Sequence, residues 1–299
     1  MQNPLAFRVR LLLSAIHPNR LGPFAVRGQI VAWSIRSIPR NEAPMMEDRD
    51  VQVHLLPSLA APGRLAGGVA VVIDVLRATT TIIQALAAGC TAVRPCAEVE
   101  EARALAGGMR AGRVLLGGER GGLPLPGFDL GNSPGEYTAA VCRGNTLVLT
   151  TTNGTRALLR AAEADRVLLA GFVNFSAVCE QLYPDPRPLH IVCAGTEGEV
   201  SLEDTLLAGA LVEALCETGA VRLNDSARLA WDCFENHGRV LQGALEVSRG
   251  GAHLLNLGFT EDIHTAAQVD QFALVPELRR DPTRVEVGAV GIVKSHWIK

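Results

Sequence analysis

From residue 51 onward the chain alternates short, β-branched apolar runs with helix-length segments, and no other feature restricts its fold as strongly. VQVHLL (51–56), VAVVIDV (69–75), TAVRPC (91–96), RVLLGG (113–118), TLVLTT (146–151), RVLLAG (166–171), LHIVCAG (189–195) and VEVGAVGIV (285–293) read as strands. Residues 78–89, 98–107, 134–143, 154–163, 173–182 and 203–218 suit helices, and 225–270 reads as mostly helical. Such alternation predicts one α/β domain over 46–299, with a mainly parallel or mixed sheet flanked by helices. Aromatic residues make up 4% of the chain against 48% hydrophobic residues. The core must therefore be built from Ala, Val, Leu and Ile, as in helix-covered sheets.

Residues 1–45 differ from the rest. They carry six Arg against a single acid, Glu42, and are broken by five prolines. A poorly ordered basic extension is expected there. An Arg-rich targeting segment and an upstream stretch before a true start at Met45 or Met46 both fit; regular patterning right after Met46 favours the second. Seven cysteines stand without a CxxC pair, which argues against a zinc ribbon or a dithiol redox centre and suggests a reducing, cytoplasmic compartment. A formal charge of −3 does not point to nucleic acid, and no apolar run approaches the roughly 18 residues that span a bilayer.

Four stretches place chemistry-bearing residues just beyond strands, where α/β sheets bind ligands. In IDVLRATTTI (73–82), Asp74 ends a strand, and Arg77 with Thr79, Thr80 and Thr81 opens a helix. Exposed N–H groups, hydroxyls and a guanidinium suit an anion, although the same residues also serve as plain helix caps. GGERGGLPLPGFDLGNSP (117–134) holds Glu119 and Arg120 in a glycine frame, followed by Asp129, Asn132 and Ser133. Loops of that length without secondary structure are uncommon unless they bind or react. In LTTTNGTRAL (149–158), Thr151, Thr152, Asn153, Gly154 and Thr155 could surround phosphate oxygens or form an Asn/Thr cap; the absence of GK[ST] rules out a Walker loop. CAGTEGEVSLEDT (193–205) brings Glu197, Glu199, Glu203 and Asp204 within eight residues, which suits Mg²⁺ or ordinary capping.

There is no DxDxT at Asp74, no CxxxxxR at Cys96 and no HExxH. His237, His253 and His264 are scattered; His253 and Asp262, on either side of a glycine, are the best of a weak set.

In this order IDVLRATTT, GGERGGLPLPGFDLGNSP, TTTNGT and CAGTEGEVSLEDTLLAGAL resemble the 2-phosphosulfolactate phosphatase family, and LGFTEDIHTAAQVDQFALVP (257–276) continues the likeness. The resemblance covers roughly residues 50–277. It implies an α/β homodimer that hydrolyses (R)-2-phospho-3-sulfolactate with Mg²⁺, in coenzyme M biosynthesis. On that expectation Asp74, Glu119 and Asp204 hold Mg²⁺, and Arg77 and Arg120 stabilise the transferring group. Thr79, Thr80, Thr81, Asp129, Asn132, Ser133, Thr152, Asn153, Gly154 and Thr155 bind substrate. Glu197 departs from the family's more common Asp.

Overall fold

The structure, a computed structural model, describes residues 48–109 and 114–288. The expected basic extension and residues 289–293 of the last expected strand lie outside the described residues. The order is β1 (Arg49–His54), β2 (Val69–Ile73), α1 (Ala78–Ala87), β3 (Ala92–Pro95), α2 (Val99–Gly108), β4 (Val114–Arg120) and β5 (Leu123–Pro124). Next come α3 (Ala139–Cys142), β6 (Thr146–Thr150), α4 (Gly154–Ala161), β7 (Arg166–Ala170), α5 (Phe175–Leu182) and β8 (Leu189–Cys193). The chain continues with α6 (Leu202–Thr218), β9 (Val221–Leu223), α7 (Asp225–His237), α8 (Leu241–Val247), α9 (Arg249–Asn256), α10 (Thr260–Ala266), β10 (Pro276–Arg279) and β11 (Arg284–Val287).

The eleven strands of the described residues join one mixed sheet in the order β5-β4-β6-β3-β11-β10-β7-β2-β8-β1-β9. β4, β6 and β3 form one parallel group; β7, β2, β8, β1 and β9 form another. The antiparallel β10–β11 hairpin sits between them, paired once to β7 through Glu277 and Leu168 and once to β3 through Val285 and Val93. Three antiparallel steps therefore separate β3 from β7, so the two parallel groups run in opposite senses.

Alternate residues of the apolar strands feed two cores. Val69, Val71 and Ile73 of β2 join Leu189, Ile191 and Cys193 of β8 under α5 and α6, while Ala70 and Val72 face Ala157, Leu158 and Ala161 of α4. Both faces of β2 are thus buried, which is why it reads as a continuous apolar run rather than an alternating one. The α4 helix leaves β6 and packs on β2 and β8, and this crossover links the two parallel groups near the site. The seven cysteines are free. Among the described residues, no helix is long and apolar enough to cross a membrane.

Candidate active site

The β2–α1 turn forms the floor. Asp74 Oδ1 accepts the Ala78 N–H at 3.1 Å, so the acid meets the start of α1. The Thr79 hydroxyl lies 2.8 Å from Asp74 O and 2.7 Å from Ala170 O. Thr80 donates to Val75 O and Thr81 to Asn132 O, each at 2.8 Å. All three threonines are buried, and their hydroxyls fix the turn through backbone carbonyls. Arg77 is also buried: Nη1 pairs with Asp262 Oδ2 at 2.7 Å, Nη2 donates to Gly122 O at 2.7 Å, and the guanidinium stands 4.7 Å over the Phe259 ring. Ser133 donates to the other oxygen of Asp262.

The glycine-rich stretch is not the irregular loop its composition suggests. β4 runs on through Glu119 and Arg120 and turns back into β5 across Gly121 and Gly122, which have φ of 59° and 83°. Two consecutive positive φ values define a tight hairpin turn matched to strand twist. Glu119, 7% exposed, accepts Gly122 N–H at 2.8 Å and Thr152 N–H at 2.9 Å. It clamps the hairpin to the β6–α4 turn. Arg120 reaches Glu119 O, Ala97 O and Thr150 Oγ1 at 2.7, 3.1 and 2.9 Å. Asp129 accepts Leu116 N–H at 2.8 Å and ties the loop to the middle of β4. Asn132 is buried, with Oδ1 unpartnered.

Thr151 and Thr155 contact each other at 3.3 Å within the β6–α4 turn, and Thr152 Oγ1 is buried without a partner. At Gly154 a Cβ would fall 2.5 Å from Ala78 Cβ and 2.7 Å from Asp74 Oδ2. Only a residue without a side chain lets the starts of α1 and α4 close on Asp74 together. Asn153 Oδ1 accepts Glu197 N–H at 3.2 Å, which joins this turn to the β8–α6 segment. There Asp204 accepts Val75 N–H at 2.9 Å and Gly195 N–H at 3.0 Å. Glu203 is buried against Gly250, with Oε2 unpartnered. All four stretches therefore converge.

The carboxylates perturb one another. Burial, with Asp204, Glu119 and Glu203 nearby, drives the Asp74 pKa well above the usual carboxylate range, against the pull of the Ala78 N–H. Burial, then Asp204, pushes Glu203 up to about 7; burial raises Asp204 to about 6 against its backbone donors. Such groups bind more protons folded than unfolded, so they remove stability as pH rises through those values. In β1 and β8, burial lowers His54 and takes His190 to about 4. That pair works the other way, removing stability as pH falls below about 6.5. Above pH 6.5 the acids alone remain. The metal-free protein should lose roughly 1–3 kcal/mol between pH 6.5 and 8, and Glu203→Gln should flatten part of that fall. Denaturant titrations in a chelator check this; an unchanged or rising stability would contradict it.

A second wall comes from 248–262, beyond the stretches that the sequence marks most strongly. His253 Nε2 lies 3.0 Å from Gly121 O, Phe259 and Asp262 hold Arg77, and Arg249 pairs with Glu197 at 2.6 Å and with Glu199. The available signal was a buried-charge argument: Arg77, read as a site residue at a strand end, needs an acid, and Asp262 opens a helix in the matching LGFTEDIH segment. Among the described residues, no group of three or more His, Cys, Asp or Glu side chains is arranged to hold a metal. Of the expected trio, Glu119 and Asp204 each accept two backbone N–H groups.

Two helix starts that converge, with glycine where a side chain would block the approach, suit a phosphate ester. The sequence profile of the 2-phosphosulpholactate phosphatases matches residues 55–281. A probable 2-phosphosulfolactate phosphatase of Symbiobacterium thermophilum is 44% identical over 71% of this chain and 91% of its own length. Proteins with that description from Deinococcus radiodurans and Thermotoga maritima are 43% and 42% identical, over 76% and 70% of the chain and 92% and 88% of their own lengths. The chain belongs to the 2-phosphosulpholactate phosphatase family of phosphoric monoester hydrolases.

Proposed function

We propose that this chain hydrolyses (R)-2-phospho-3-sulfolactate to 3-sulfolactate and phosphate with Mg²⁺, a step that would serve coenzyme M synthesis. The observation that carries the reading is the meeting of the α1 and α4 starts on Asp74, at a Gly154 that admits no side chain. Backbone N–H groups and the positive ends of two helices favour phosphoryl oxygens there.

Charge supports a cation. Asp74, Glu119, Glu203 and Asp204 gather on the floor, and the guanidinium groups of Arg77 and Arg120 are already bound to protein partners. A polyanionic substrate enters such a floor only with compensating charge. Mg²⁺ commonly takes one or two carboxylates and completes its shell with water and substrate phosphate, so a protein cage is not required. Asp74 Oδ2, which accepts no hydrogen bond among the described residues, and the unpartnered Glu203 Oε2 fit that donor set. When bound, the ion supplies Lewis-acid charge to phosphoryl oxygens and acidifies water. Glu119 and Asp204 set the backbone around it. Arg120 holds the β4 end against Thr150, and the Thr152 hydroxyl is available to a phosphoryl oxygen.

The test is phosphate release from a panel of 2-phosphorylated acids, with Mg²⁺ and with a chelator. Turnover of 2-phosphosulfolactate that depends on Mg²⁺ is expected. Binding without turnover of any panel member would overturn the proposal in favour of a metabolite-binding module.

A further inference from the structure

The proposed substrate carries two acidic groups besides phosphate, and Arg77 and Arg120 offer them little free positive charge. Arg77 is 4% exposed and bound to Asp262 and Gly122 O; Arg120 is bound to three oxygens. Arg249 differs. It opens α9, 48% exposed in its side chain, and its partners Glu197 and Glu199 are 62% and 70% exposed. Exposed ion pairs of this kind add little stability and exchange readily.

Its position is fixed by the site. Ser248 caps α9, accepting Gly251 N–H at 3.0 Å. At the next residue, Gly250, a Cβ would stand 2.5 Å from Glu203 Oε1 and 3.7 Å from Thr196 Oγ1. The first turn of α9 therefore rests on the acidic floor, one residue from Arg249. The glutamates belong to a small hairpin closed by the Thr196–Glu199 bridge, with Glu197 at φ 54° and its N–H on Asn153. Arg249 thus stands between the floor and a strap anchored to the phosphate-facing β6–α4 turn. A guanidinium in this place matches a planar carboxylate or a sulfonate through paired donors.

We propose that Arg249 is the specificity residue for the substrate's second strong acid group, the sulfonate, exchanging its contacts with Glu197 and Glu199 for that group on binding. The inference rests on the function proposed above. On this account Glu197, the longer acid where an Asp is usual in the resemblance, serves as a resting partner of Arg249.

The experiment compares 2-phospho-3-sulfolactate with 2-phospholactate, the same ester lacking the sulfonate, in the wild type, Arg249→Gln and Arg249→Lys. Wild-type turnover of the sulfonate substrate tests the functional proposal by itself. For Arg249→Gln, KM for the sulfonate substrate should rise about tenfold or more, the factor carried by one charge-assisted hydrogen bond. KM for 2-phospholactate should stay within about twofold, because that ester has no group for Arg249 to read, and Arg249→Lys should restore part of the loss. Equal effects on both substrates, or none on either, would overturn the assignment. Removing the resting partners in Glu197→Gln/Glu199→Gln should lower or preserve KM for the sulfonate substrate. A rise matching that of Arg249→Gln would instead make the ion pair structural and sink the exchange.

Discussion

Asp74→Asn is expected to lower kcat by at least about 10²–10³ while raising the melting temperature at pH 8. The two effects have one cause. Asp74 is buried, with three other acids nearby, and both hold its pKa far above the ordinary carboxylate range. In the metal-free protein near pH 8, ionising this group or its neighbours opposes folding. Asparagine keeps the shape, and its carbonyl oxygen can still accept the Ala78 N–H, but it carries no charge to repel Asp204, Glu119 and Glu203. One kcal/mol recovered corresponds to about 2–4 °C in a chain of this size. Activity falls because the amide replaces the oxygen facing Gly154, where the two helix starts meet. Such opposition is the usual signature of a site that holds charge at the expense of stability. Steady-state kinetics and thermal denaturation in the same buffer check it. Activity within tenfold of wild type would remove Asp74 from the chemistry.

What the sequence made legible follows from how local each feature is. β2 and β8 are apolar on both faces and end in a turn, so composition alone reveals them. β9 has three residues and β10 alternates Glu277 and Arg279 with apolar neighbours, so neither shows an apolar run; β9 exists through pairing with the distant β1, and β10 through its hairpin with β11 and one pair to β7. The expected helix over 134–143 is interrupted: a tight turn at Pro134–Glu136 precedes α3, which starts only at Ala139. At 117–124 the double glycine was a turn signal of the kind that joins paired strands, and the expectation of an irregular loop gave too little weight to the strand on each side. The candidate site was legible as four separate stretches because each is a strand end plus a helix start. Their convergence was expected at a common sheet edge. The opposed parallel groups show a different cause, the crossover of α4 onto β2 and β8. The roles within the stretches were less legible. Hydroxyls at Thr79, Thr80 and Thr81 look alike in sequence whether they face a ligand or a carbonyl, and only their carbonyl partners in the fold separate the two.

The contact that lay furthest beyond sequence reach, between Arg77 and Asp262 across 185 positions, also carries the largest expected stability effect. Both side chains are almost wholly buried, at 3% and 4% exposure. Removing one member of such a pair leaves a charge that water cannot reach, a loss of about 3–5 kcal/mol, whereas removing both costs far less. Asp262→Ala should therefore lower the melting temperature by roughly 10 °C. It would also release the Ser133 hydroxyl and, among the described residues, leave Arg77 with Gly122 O and the Phe259 ring. The double variant Arg77→Met/Asp262→Ala should recover much of that stability, giving strong non-additivity in a double-mutant cycle. Additive losses would mean the pair is not coupled. Activity should follow a different order. Arg77 holds the hairpin turn through Gly122 O, and Gly122 N–H in turn fixes Glu119, so the double variant should remain impaired in turnover after its stability returns. Stability that recovers without activity would mark Arg77 as a positioning residue for the acidic floor, because a purely structural ion pair would regain both together.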